Sequence, residues 1–215
     1  MIAHLRILGA VPLALLAATA ARAEAPGAAL VRSLPRCPAE RTCIALDLWL
    51  SRARSADPAW LREQLDAASE RLSVLGAGVE VTTAHLLPDA ELDVATRAHR
   101  DALGRHGAQV PLRWFVVDRL VDASDKGQLR RGVTWRRARD FWIIEAQDAW
   151  PPVLAHELGH VLGLPHSRDP ASLMNKSARL WPPPMSWGFT RGEQPRMRRV
   201  LARLLRERRL SEVKR

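Results

Sequence analysis

Apolar positions along the chain alternate between short runs and helical stripes. Cys43 to Leu50 (CIALDLWL), Val79 to Leu86 and Pro111 to Val117 (PLRWFVV) are apolar runs of strand length. Between the first two, Leu61, Leu65, Ala68, Leu72 and Leu75 recur at 4-3-4-3 spacing, one buried helical stripe. Asp57 supplies an N-cap acceptor with Pro58 in the first turn, and Gly76 and Gly78 end the helix. Pro88-Asp89 predicts a further helix to about His106, with Leu92, Ala95, Ala102 and Leu103 inward. Arg131 to Arg136 and Phe141 to Ala146 are two short strands around Arg137-Ala138-Arg139-Asp140, a predicted hairpin. Pro151-Pro152 opens another helix. Thr190-Arg191-Gly192-Glu193 is a capping box for a last one, whose stripe is Met197, Val200, Leu201, Leu204 and Leu205. Strand, helix, strand, helix, strand, hairpin, helix is an α/β (α+β) pattern.

The ends of the chain read differently. Arg6 precedes an apolar run from Ile7 to Ala18, and Ala21-Arg22-Ala23 suits a signal-peptide cut after Ala23. The run is too short to span a bilayer, and no later stretch is long and apolar enough to do so. The expected organisation is a leader over 1–23, an extended Ala-, Pro- and Arg-rich arm over 24–42, and one domain over 43–215. Export to a periplasm or beyond is the corresponding expectation. The net charge is +10, two of it in the leader as Arg6 and Arg22. Nearly all the excess is arginine, the only lysines being Lys126, Lys176 and Lys214. Such a charge favours anionic partners without naming one. No phosphate-binding glycine loop or internal repeat is present, and no specific nucleic-acid partner is expected.

The chemistry concentrates in His156-Glu157-Leu158-Gly159-His160-Val161-Leu162-Gly163-Leu164-Pro165-His166. On a helix, His156 and His160 share a face, and their imidazoles can hold one divalent ion. Glu157 stands beside the first ligand, where it can reach an activated water without itself binding metal. Gly163 lets the chain leave the helix by a conformation that a side chain opposes. His166 then arrives as a third nitrogen. Three protein ligands and an open position are the pattern of a catalytic zinc.

This H-E-x-x-H-x-x-G-x-x-H string resembles the signature of the metzincin zinc peptidases. His166-Ser167-Arg168-Asp169-Pro170-Ala171-Ser172-Leu173-Met174-Asn175 is most similar to the matrixin branch, with Met174 as the turn methionine. The resemblance implies a mixed twisted sheet with an antiparallel edge strand, backing helices, an active-site helix, a methionine turn and a C-terminal helix. It also implies a zinc endopeptidase acting on protein or peptide, with Glu157 as general base and Met174 as an apolar floor; a monomer is a separate expectation. The helix over 89–106 departs from the simplest matrixin plan. So does the absence of tyrosine: Asn175 follows Met174 where such enzymes often carry one.

Several readings stay open. Cys37 and Cys43, the only cysteines, suit a short-loop disulfide in an exported protein. Pro35-Arg36-Cys37 also looks like the start of a matrixin thiol latch, although Pro38 follows where glycine belongs. Acids around Asp118, Asp122 and Asp125 admit calcium, without recognisable ligand spacing. Trp181 and Trp187 either wall a specificity pocket or fill the lower core. The arginine-rich last helix could lie on a membrane or pack on the back of the domain. His85, His99 and His106 read as solvent-facing or capping residues. A non-catalytic secreted module of this fold and a peptidase that trims short peptides are the alternative functions.

Overall fold

The computed structural model describes residues 26–51, 57–108, 110–125, 127–176, 183 and 186–214. The expected leader and its cleavage site lie outside these residues. Five strands form the main sheet: β1 (Thr42–Ser51), β2 (Ala77–Leu87), β4 (Arg113–Val117), β6 (Gly132–Arg137) and β7 (Asp140–Ala146), in the order β2-β1-β4-β7-β6. β2, β1, β4 and β7 run parallel, and β6 returns antiparallel to β7 as the edge strand. Two very short strands, β3 (Asp93–Val94) and β5 (Arg119–Leu120), pair beside the sheet.

The continuous apolar runs follow from cover on both faces. Along β4, Trp114 and Val116 face one core, while Phe115 and Val117 face the other. The first core lies under α2 (Pro58–Leu72), α4 (Pro152–Val161) and α5 (Gln194–Arg206). It contains the α2 stripe of Leu61, Leu65, Ala68 and Leu72, together with Leu154, Leu158, Met197 and Leu201. Asp57 caps α2 by accepting the Ala59 N–H at 2.9 Å. The second core gathers Leu87, Leu92, Val94, Leu103, Trp142 and Ile144. α5 packs on the domain through its apolar stripe: Met197, Leu201 and Leu204 are buried. Only half of its capping box forms, with the Glu193 carboxylate accepting the Thr190 N–H at 2.7 Å. The other Glu193 oxygen accepts the Ser172 hydroxyl at 2.7 Å, joining this helix start to the loop before Met174.

Two expected elements are corrected. The helix from Asp89 to His106 is instead a 3₁₀ turn at Asp89–Glu91, the extended pair Asp93–Val94, and a helix α3 of only Arg97–Leu103. The true start is Thr96, whose hydroxyl accepts the His99 N–H at 3.1 Å. Ala95 and Ala102 are consequently only half-buried. The arm over 24–42 is not wholly extended, since Pro26–Ser33 form the short helix α1. Proline in the first turn followed by Ala28, Ala29 and Leu30 favours that helix, and Gly27 sets it directly on Ala84 of β2. Beyond it, Cys37 and Cys43 are joined in a disulfide, which leaves neither sulfur as a thiol. The Cys37 N–H donates to Glu80 at 3.0 Å, so arm, β1 and β2 are tied together. Residues 211–213 run antiparallel beside the start of β1, with Val213 N–H donating to the Cys43 carbonyl at 2.8 Å.

Candidate metal centre

α4 carries His156, Glu157 and His160 across the mouth of a cleft whose other wall is β6. After α4, Gly163 adopts φ +88, and the chain turns back to bring His166 round. The three rings meet: centroids are 4.8 Å apart for His156–His160, 5.5 Å for His156–His166 and 4.8 Å for His160–His166. One nitrogen from each lies within 4.8 Å of the others, and this is the single group of metal-ligand type among the described residues. His156 Nδ1 is 2.8 Å from the Leu173 carbonyl oxygen, and His160 Nδ1 is 2.8 Å from that of Leu164. A carbonyl only accepts, so each Nδ1 carries the hydrogen and each Nε2 keeps a free lone pair. That donor set fits a divalent ion such as zinc. Burial holds His156 and His160 below the ordinary histidine pKa. Partial burial, with the other two rings, pushes His166 down to about 4. All three are thus neutral at neutral pH, the form that binds metal.

Glu157 is 4 % exposed, and its carboxylate accepts the Thr134 hydroxyl at 2.8 Å. Burial raises its pKa, while His160 and the Thr134 bonds oppose that rise. Gly132, beside Thr134 on β6, makes room: a Cβ there would lie 2.9 Å from Glu157 Oε1. Met174 is fully buried and packs against Gly159, where an added Cβ would lie 2.4 Å from its sulfur. Asn175 donates to the Asp169 carbonyl at 3.1 Å. Trp187 belongs to both earlier readings: it is buried in the first core and also lines the cleft, edge-on to Trp150 at 5.7 Å. Trp181 lies outside the described residues.

Asp122 accepts from the N–H groups of Ser124 and Asp125 and pairs with Arg130, which brings its pKa to about 2. Its oxygens hold the loop's own backbone, and no acidic metal-ligand group forms there among the described residues. His85 and His106 are not solvent-facing. They lie on Trp49 at 4.3 Å and 4.6 Å, beside Asp47 and Glu91 respectively. Thr134, Gly132 and the buried Glu145 of β7 escaped the sequence reading. The hairpin's period-2 alternation puts Thr134 on one sheet face, but only the tertiary packing reveals that α4 covers that face. Glu145 is fully buried, accepts the Trp114 indole N–H at 2.9 Å, and is raised well above the usual carboxylate range by burial.

Comparison with known proteins agrees with this geometry. Residues 83–185 match the matrixin family of peptidases. The fold is similar to archaemetzincin from Methanopyrus kandleri, with a TM-score of 0.53 and 19% identity over 75% of this chain and 97% of that one. It is equally similar to metalloproteinase-II from Bacteroides fragilis, with a TM-score of 0.53 and 16% identity over 80% of this chain. The match spans 60% of the Bacteroides chain. No curated protein matches the chain. The matched segment resembles the matrixin peptidases, the fold is shared with these two structures, and the three-histidine group is one that could hold a metal ion.

Proposed function

We propose that the chain is an exported, monomeric zinc-dependent endopeptidase, with residues 1–23 as its leader and 43–215 as its catalytic domain. The observation that carries this is the convergence of His156, His160 and His166 beside Glu157. Their three nitrogens would hold the ion. Zinc, when bound, supplies a Lewis acid and lowers the pKa of water to about 7. The protein's own residues do the rest. Glu157, the only carboxylate next to the histidines among the described residues, takes the proton of the attacking water and returns it to the leaving amine. Burial raises its pKa toward the working range, and Thr134 fixes its direction. The peptide lies extended along β6, the free edge of the sheet, adding a strand through main-chain hydrogen bonds. Trp150 and Trp187 give the cleft an aromatic wall.

Purified protein should contain one zinc and cleave unfolded protein. Glu157→Gln should keep the metal and lower kcat by about 10²–10⁴. His160→Ala should lose metal and cleavage together. Unchanged turnover in Glu157→Gln would remove that carboxylate from the mechanism. A metal-loaded wild type that binds peptides without cutting them would favour the non-catalytic module.

A further inference from the structure

We propose that the cleft selects acidic peptides, through an arginine shelf formed by Arg136, Arg196, Arg199 and Arg203 beside the three histidines. This deepens the peptidase reading above and rests on it. The cleft has a volume of about 1600 Å³. On α5 its lining residues are Arg196, Arg199, Val200 and Arg203. Their spacing, i, i+3, i+4 and i+7, places them on one helix face. Arg136 of β6 also lines the cleft and donates to the His160 carbonyl. Gly163, between the second and third histidines, has Arg196 Nε 3.7 Å from where its Cβ would stand. Lys176 lines the cleft as well.

Counter-charges are unevenly supplied. Elsewhere around the cleft, Arg130 pairs with Asp122 and Arg131 with Asp148. Arg203 reaches Glu207 only at 4.0 Å. Arg196, Arg199 and Lys176 have no acidic partner among the described residues. Burial depresses the pKa of Arg136, and its like-charged neighbours Arg209 and Arg203 add to this. The acids that line the cleft are Asp122, already bonded to Arg130 and to backbone, and Glu157. A bound divalent ion adds further positive charge. Guanidinium groups grip carboxylates in paired hydrogen bonds, and a cleft of one sign raises the local concentration of the opposite one. The open β6 edge beside the shelf suits an extended main chain, which makes the occupant a peptide rather than another polyanion.

The test uses zinc-loaded full-length protein and pairs of fluorogenic peptides that differ only as Asp/Glu against Asn/Gln around the cut. The acidic member should show a kcat/KM about tenfold higher, largely through KM, and the advantage should shrink with added sodium chloride. Arg196→Gln/Arg199→Gln should bring the ratio toward one, with Lys176→Gln as a second, independently folding variant. Equilibrium binding of the same pairs to the Glu157→Gln protein separates the two readings. Equal affinity, or a wild-type ratio near one, overturns the acidic preference. A ratio untouched by the arginine variants and by Arg136→Gln overturns the shelf. Tighter acidic binding without any wild-type hydrolysis upholds the shelf and overturns the peptidase.

Discussion

Glu145 sets a cost that depends on pH. Its side chain has no exposure, one oxygen accepts from Trp114, and the other has no hydrogen-bond partner among the described residues. Burial raises its pKa, so the folded state prefers the neutral acid. Stability from this group is therefore complete below the ordinary value of 4.5 and is lost as pH rises toward the folded value. Glu145→Gln keeps an acceptor for Trp114 and removes the titration. Denaturant midpoints should show the variant gaining on wild type as pH rises from 4.5 toward neutrality. A constant difference across that range would mean that Glu145 is not protonated in the fold. At this scale His156, Glu157 and His160 were legible because their offsets within one helix bring them together, and His166 because Gly163 marks the turn that returns it. The sequence did not disclose Glu145, Thr134 or Gly132, since each acts through a neighbour distant in the chain.

Elements were legible where a single periodicity ruled. α2, the hairpin of β6 and β7, α4 and α5 lie close to their expected positions. The stretch from Asp89 to Leu103 did not, because Pro88-Asp89 mimics a helix start while the stronger cap stands at Thr96. Val94 and Leu120 instead pair as neighbouring extended residues. α1 was missed because eight residues are too few to show a stripe. The N-terminal elements also rest on the Cys37–Cys43 bond, which closes a short loop. Cys37→Ser/Cys43→Ser should cost about 2 kcal/mol and expose the α1 segment to limited proteolysis. The histidine cluster belongs to α4 and the turn after it, so zinc content should survive. Loss of metal in that variant would show that the arm supports the cleft.

For the whole molecule, an ion held by the three histidines would be a structural brace. It would tie α4 to the segment after Gly163, and Leu173, whose carbonyl fixes His156, brings in the loop that carries Met174. An ion binding only the folded state, at about a thousand times its Kd, stabilises it by about 4 kcal/mol. A chelator should therefore lower Tm by several degrees in proportion, and added zinc should restore it. An unchanged Tm would mean that the histidines do not engage the metal in the folded chain. The same view gives meaning to β6. A sheet whose last strand leaves its backbone groups unspoken for invites any extended chain, including the matching strand of a sister molecule. Arg136 and Arg137 at its end would then meet their own likenesses across such a pair. Such a repulsion between sisters would at the same time be a welcome for a chain of the opposite sign.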